Sequence, residues 1–466
     1  MKKKIILLLL MLAMGLPVSW AQPSDWPKNP VIYEVNLRHH TPEGSIAAFR
    51  RELPKLKQLG VNVLWFMPVQ PIGEKKRKAK GDLFVEDITN PAEMSWFTYT
   101  GISRYLGSPY SISDYTKVNP FFGTMDEFKS LVKECHGMGM KVILDWVGNH
   151  TAWDHPWISK NPDWYTKDKN GNITDPLNEE GNSMGWTDVA DLNYGNAEMR
   201  KAMIQDMKFW IEQCDMDGFR CDVAMSVPAD FWDAARKEIE KVKPIFMLAE
   251  SEEHDMAQFK GAFNAYYGWE MHHVLNEVSH DKKTTWYIDS VMTRKMKKFP
   301  ANVYMMNFIT NHDENSWNGT EFERMGPAWK VMAVYTFTAP GIPLLYTGQE
   351  YGNNKRLKFF EKDTILPQTN QDYYGFYSSL CSLRTSQAAL GTSPVLNQWK
   401  VIPSKRKDQL IFQRSTKGNC VWICLNMGGE TISPSVKVPK GKILLGNECY
   451  QDNKLSPWGY LVIQRK

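Results

Sequence analysis

A handful of charged residues stand where chemistry could be done. Gly218-Phe219-Arg220-Cys221-Asp222 reads as a buried strand ending in a cation and a carboxylate. Side chains at i and i+2 of a strand share a face, so Arg220 and Asp222 point together while Cys221 turns away. An Arg beside an Asp keeps it ionised, available as a nucleophile or an electrostatic stabiliser, and a structural ion pair would look the same. Glu250 closes the apolar run Ile245-Phe246-Met247-Leu248-Ala249. Desolvation there raises a carboxyl pKa, which suits a group that must hold a proton near neutrality. His312-Asp313 and Asn149-His150 follow two further apolar runs.

The elements that must position these residues repeat. Val31 to Val35 is a first strand, residues 45 to 59 have helix periodicity, and Val61 to Met67 is a fully apolar second strand. Strand, helix and buried strand together indicate a parallel sheet. Further strands are expected at Met140 to Asp145, Cys214 to Val223, Ile245 to Glu250, Phe263 to Tyr266, Val303 to Ile309 and Ile342 to Tyr346. Helices are expected over residues 125 to 137, 197 to 213 and 229 to 242. Eight such units predict an α/β fold, a closed (β/α)8 TIM barrel. In such barrels catalytic groups collect at the carboxyl ends of the strands, where Asn149, His150, Asp222, Glu250, His312 and Asp313 would meet.

Composition bounds the alternatives. Lys2 to Lys4, an apolar block from Ile5 to Leu16, and Ser19-Trp20-Ala21 make an export signal over residues 1 to 21, too short to span a bilayer. No later run has membrane length, so an exported protein, periplasmic or extracellular, is expected. The net charge of +4 includes the signal lysines, and Lys75 to Lys80 is the densest basic run, so nucleic acid is not an expected partner. Seven cysteines are an odd number without framework or zinc-site spacing, and they read mostly as buried packing residues.

The set of motifs resembles the α-amylase family of glycoside hydrolases across nearly the whole chain. Asp145-Trp146-Val147-Gly148-Asn149-His150 resembles its third-strand motif, Gly218 to Asp222 its fourth, Leu248-Ala249-Glu250-Ser251 its fifth and Phe308 to Asp313 its seventh. Ala190 to Asn193, Gly341 to Glu350 and Tyr110 to Tyr115 add supporting matches. The resemblance implies Asp222 as nucleophile, Glu250 as general acid and base, and Asp313 as transition-state stabiliser, the roles that retaining glycoside hydrolysis requires. It further implies that His150 and His312 hold sugar hydroxyls, that Tyr110 stacks on the sugar, and that Asp145 orients Arg220 unless it is purely structural.

Two positions depart from the family. Met225 and Ser226 stand where many relatives carry Lys and His, so a sugar contact and a calcium-binding carbonyl expected there are in doubt. Asn149 resembles a calcium ligand, with Asp163, Asp168, Asp175, Glu179 and Asp188 as further oxygen donors nearby, so calcium is a candidate cofactor. Residues 151 to 190 are expected to form a small domain inserted after the third strand. Gly73 to Gly107, with Trp96, Phe97, Tyr99 and Tyr105, reads as an enlarged loop that either stacks glucan or pins itself. Helix and strand alternation stops near residue 391, and residues 392 to 466 are expected to form an all-β sandwich.

The resulting expectation is an endo-acting α-glucan hydrolase, favoured by analogy because the barrel follows the signal without an intervening sandwich. A glucanotransferase using the same carboxylates is the first alternative, and a non-catalytic glucan-binding protein the second. Oligomeric state is not legible.

Overall fold

The computed structural model describes residues 26–81, 83–88, 105–178, 180–251, 261–298, 303–392 and 397–465. The export signal at residues 1 to 21, the loop aromatics Trp96, Phe97 and Tyr99, and Glu179 lie outside the described residues. No helix among the described residues is long and apolar enough to cross a membrane.

Eight strands form the centre: Ile32–Val35 (β1), Val63–Phe66 (β2), Lys141–Val147 (β3), Gly218–Asp222 (β4), Phe246–Ala249 (β5), Ala265–Tyr267 (β6), Tyr304–Asn307 (β7) and Ile342–Tyr346 (β8). Each pairs in parallel with its sequence neighbours, and β8 returns to β1 with Leu344 opposite Ile32, closing the barrel. The two-residue period sorts the side chains. Tyr33, Val35, Leu64 and Phe66 face the surrounding helices, while Ile32, Val63, Ile143, Leu248 and Met306 fill the interior. Trp26 joins that interior cluster, its ring stacked 4.1 Å from Phe246. Two residues beyond the apolar plug, the same inward period brings Glu34, Asp145 and Arg220 into the barrel mouth.

Local chemistry explains where elements start and stop. The helix expected over residues 45 to 59 is two helices, Ile46–Arg50 and Leu53–Leu59, because Pro54 has no N–H to donate and fits only a first turn. Thr124 and Glu127 form a capping box ahead of Met125–Gly137. Ala197–Cys214 ends on Asp215 in the left-handed conformation, φ 56°, so the chain turns before it extends. The strand expected from Cys214 therefore begins at Gly218. A Cβ at Gly218 would sit 1.8 Å from the Phe246 carbonyl oxygen, so only glycine lets β4 approach β5 this closely.

Between β3 and the next barrel helix, His150–Ala152 pairs antiparallel with Val189–Asp191 and closes the base of the inserted segment. Past the barrel, Gln398–Ile402 (β9), Gln409–Thr416 (β10), Asn419–Asn426 (β11), Gly441–Leu445 (β12) and Tyr460–Arg465 (β15) form an antiparallel sheet ordered β9-β10-β11-β15-β12. One face, with Leu410, Phe412, Val421, Ile423 and Val462, is continuous with the core around the barrel. The other face buries Ile411, Trp422 and Leu461 under Ile432 and Leu455, so the second layer of the sandwich is slim, the segment around Ile432 and the ribbon Tyr450–Gln451 (β13) with Lys454–Leu455 (β14). All seven cysteines are free thiols, and five are buried.

Polar contacts also tie the sheet to the barrel. Arg414 donates to the Thr338 and Gly391 carbonyls at 2.9 and 2.7 Å, and Arg384 reaches the carbonyls of Phe337, Ala339 and Gly341. The two guanidinium groups thus meet the negative carboxyl end of helix Trp329–Thr338.

Phe412 is fully buried, its ring centroid 4.3 Å from Trp399 and 6.4 Å from Tyr335 of the barrel. Phe412→Ala should lower the unfolding free energy by about 3–5 kcal/mol, read from the denaturant midpoint. An unchanged midpoint would mean that the sheet does not contribute to holding the barrel.

Candidate active site

Arg220 organises the barrel mouth. It is 0% exposed, and its Nη1 lies 2.9 Å from Asp145 Oδ1 and 2.7 Å from Asp222 Oδ1. Its Nη2 lies 2.8 Å from Glu250 Oε1, and Nε donates to the Tyr267 hydroxyl at 3.0 Å. One planar cation thus spaces Asp222 at the end of β4 against Glu250 just after β5. The other Glu250 oxygen, Oε2, accepts from the Val223 N–H at 2.8 Å. Val223 has φ 38°, a conformation that a β-branched residue adopts only when its surroundings enforce it. Its reward is an amide aimed at the Glu250 carboxylate.

Asp145 receives three donors: Arg220, the Trp65 indole at 3.2 Å and the Tyr110 hydroxyl at 3.1 Å. Tyr110 also lies 2.8 Å from His312 Nε2, with its ring stacked on the imidazole at 5.4 Å. His312 Nε2 is 3.3 Å from Asp313 Oδ2, and Nδ1 is 2.5 Å from Glu34 Oε1. Burial raises the carboxyl pKa of Asp222 and of Glu250, with the Arg220 charge opposing in each case. Burial also raises Asp313, against the pull of His312. Asp313 is the most open of the three, with a third of its side chain (33%) exposed.

A cleft of about 520 Å³ lies above these groups. Tyr110, His150, Asp222, Glu250, His312 and Asp313 all line it, so the sequence-derived residues converge, with Arg220 beneath them. Asn149 is buried beside His150, its amide 3.4 Å from His150 Nδ1. The walls are aromatic: Trp186 from the inserted segment, Trp269 after β6, Trp317 from the π-helical turn Glu314–Asn318, and Phe359 and Phe360 after β8. A carboxylate pair at the bottom of an aromatic trough can attack one side of a bound ring while protonating its leaving oxygen.

Several participants escape a motif reading. Trp65 and Tyr267 read as ordinary strand residues. Glu34 carried a signal, a lone carboxylate in an otherwise apolar strand, but nothing local names its partner. Trp317, 52% exposed, follows Asp313 by four residues and is brought over the cleft by the helical turn.

With the geometry in place, comparison with known proteins is decisive about ancestry. The family model described as alpha amylase, catalytic domain, matches residues 36–384. The chain belongs to the α-amylase family. This α-amylase-family chain is 25% identical over 447 residues to the α-amylase MalA of Haloarcula japonica, covering 92% of this chain and 60% of that protein. It is also 25% identical over 398 residues to a cyclomaltodextrin glucanotransferase of Bacillus sp. (strain 1-1), covering 76% of this chain and 53% of the relative. The chain thus spans less than two thirds of the length of these relatives. Among solved structures, an α-amylase from Lactobacillus plantarum superposes with a TM-score of 0.77 at 26% identity, covering 94% of this chain and 99% of that one. A maltogenic α-amylase, AmyB, from Thermotoga neapolitana gives 0.75 at 26% identity, covering 94% and 96%.

The described acidic residues near Asn149 are each engaged elsewhere, Glu179 lying outside the described residues. Asp163 pairs with Lys167, Asp168 caps its own turn through the Asn170 and Asn172 amides, Asp175 accepts from Ser183, and Asp188 faces Lys78 at 3.9 Å. Among the described residues no three His, Cys, Asp or Glu side chains converge as metal ligands. No step below runs through calcium, and the melting temperature should be the same in EDTA as in calcium chloride. A lower value in EDTA would reveal ligands supplied by backbone carbonyls.

Removing the central cation gives a second prediction. Arg220→Met leaves Asp145, Asp222 and Glu250 without their counter-charge and should cost about 3–5 kcal/mol at neutral pH. Without Arg220 the folded-state pKa values of these carboxyls rise further above the unfolded ones. The unfolded states of the two proteins are alike, so the penalty is full above the variant's folded values. It fades as pH falls through the folded values of both proteins, which burial has already raised in the wild type, and should be largely gone by about pH 4. Denaturant melts of both proteins across pH check this, and a deficit independent of pH would contradict it.

Proposed function

We propose that the chain is a retaining α-glucan hydrolase cleaving internal α-1,4-glucosidic bonds of starch-like polysaccharides or maltooligosaccharides. The observation that carries this reading is the single buried guanidinium holding Asp222 and Glu250 side by side under an aromatic cleft. Retaining enzymes need two carboxyls only about 5–5.5 Å apart, close enough for one to attack while the other protonates.

In the first half of the reaction Asp222 attacks the anomeric carbon and the glucosidic bond breaks. Glu250, protonated in the substrate complex, gives its proton to the departing oxygen. The glycosyl ester on Asp222 is then opened by a water whose proton returns to Glu250, so the configuration is retained through two inversions. Asp313 and His312 hold hydroxyls of the reacting ring, where hydrogen bonds that strengthen in the transition state raise turnover. Tyr110 and the wall aromatics offer apolar faces to pyranose rings.

Transfer to a sugar is the second reading, and the apolar residues Val223, Met225 and Trp269 in the cleft lining favour it. An acceptor ring would find more contact there than water does, and a glucanotransferase is among the relatives. The amino-terminal pattern of residues 2 to 21 supports export, so the substrate would be met outside the cytoplasm.

The test is release of reducing ends from soluble starch, pullulan and dextran, with Asp222→Asn in parallel and products resolved over time. Starch should yield mixed short maltooligosaccharides of retained anomeric configuration, and the variant should lose at least about 100-fold in rate. Oligosaccharides longer than the starting material would move the reading to transfer. Silence on every glucan, with maltooligosaccharides included, would remove the enzyme reading.

A further inference from the structure

His312 has a carboxylate at each ring nitrogen. Asp313 Oδ2 lies 3.3 Å from Nε2 on the cleft side, and Glu34 Oε1 lies 2.5 Å from Nδ1 on the inner side. Glu34 is 0% exposed in the middle of β1, 278 residues away along the chain. Its second oxygen, Oε2, has no hydrogen-bond partner. A carboxylate cut off from water is costly unless a donor or cation meets it, and the hydrogen bond that the Glu34 side chain makes is to His312.

The protons can be counted from the partners. Tyr110 has one hydroxyl proton, and it is engaged 3.1 Å away by Asp145 beside Arg220. The 2.8 Å contact between Tyr110 and His312 Nε2 is then a hydrogen bond only if Nε2 carries a proton. With Glu34 ionised, the 2.5 Å contact to its carboxylate needs a proton on Nδ1 as well; burial opposes that ionisation and the His312 charge favours it. We propose that Glu34 is a positioning residue for the reaction: it holds His312 as an imidazolium whose Nε2–H is aimed into the cleft between Tyr110 and Asp313. The role in turnover rests on the glycosidase reading, whereas the state of the ring does not.

The surroundings agree. Burial works against a charged ring, but Asp313 and Glu34 outweigh it and lift His312 to about 9, with Arg220 on β4 opposing them. The carboxylates of Asp145, Asp222 and Glu250 also face it across the mouth. The Trp65 ring of β2 packs edge-on at 6.0 Å, and Tyr346 of β8 lies within electrostatic reach of Glu34. The cation is therefore present below about pH 9 and lost above it. A fixed cationic donor meets a sugar hydroxyl more strongly than a neutral one, and it offsets the burial cost of the Asp313 carboxylate.

The test is a pH titration of 15N-histidine-labelled full-length protein, with the His312 signal assigned by its absence in His312→Gln. Wild type should show an imidazolium at neutral pH, and Glu34→Gln should lower the midpoint by roughly 1–3 units, the effect of removing one adjacent opposite charge. Glu34→Gln should also lower kcat on maltooligosaccharides by more than about tenfold, mostly in kcat and little in KM. A neutral His312 in wild type at neutral pH overturns the proposal, as does an unmoved midpoint in folded Glu34→Gln. If that variant does not fold, the wild-type charge state decides alone. A wild type that cleaves no glucan removes the glycosidase reading while the titration still reports on Glu34.

Discussion

A guanidinium that never touches water has to be matched by negative charge in the same small space, and this requirement governs the barrel mouth. Arg220 meets it with Asp145, Asp222 and Glu250, one fully buried and two at the cleft floor. Hydrogen-bond direction then fixes Asp145 and Asp222 more tightly than packing alone would, because a guanidinium offers donors only in its own plane, while Glu250 is held by the ion pair and by the Val223 N–H. The placement of Asp222 against Glu250 thus depends on a single rigid group. Buried pairs of this kind add little net stability, but losing one member is expensive, so the arrangement specifies a geometry rather than strengthening the fold.

The rest of the fold delivers residues to that cation. Strand period two turns Glu34, Asp145, Arg220 and Asp222 inward, and the apolar plug of Ile32, Val63, Ile143 and Leu248 beneath them keeps solvent from reaching the site from below. Loops after the strands, free of ladder hydrogen bonds, supply the aromatic walls. The carboxyl-terminal sheet sits away from the chemistry and contributes through burial, covering apolar surface on the helices and answering the carboxyl end of helix Trp329–Thr338 with Arg414.

Concentrating acids in a largely buried mouth has a cost in stability. Burial raises the carboxyl pKa values of Glu34, Asp222, Glu250 and Asp313 in the folded state. A raised carboxyl pKa contributes stability in full below the unfolded value of about 4, and that contribution is lost as pH rises through the folded value. At neutral pH the site therefore opposes folding, and Arg220 together with the His312 ring offsets part of this. A shell of fully buried Trp65, Trp146, Trp210 and Trp232 supplies apolar burial on the favourable side.

Sequence alone determined what depends on neighbours in the chain. Apolar runs located all eight strands, since a strand buried on both faces has little choice of composition, and the i, i+2 spacing correctly paired Arg220 with Asp222. Asp145, His150, Glu250, His312 and Asp313 were visible because a polar residue at the end of a buried strand is conspicuous. Pro54 was a readable helix break that the periodicity of residues 45 to 59 concealed, and the left-handed turn at Asp215 lay in a polar stretch read as the start of the following buried strand. Only the tertiary structure decided that Glu34 of β1 meets His312 after β7, that Tyr267 completes the cage of Arg220, and that Trp317 and Trp186 share one cleft. Each of these depends on barrel closure bringing distant segments within a few ångströms, and no local period or propensity encodes which far-off residue will be the partner.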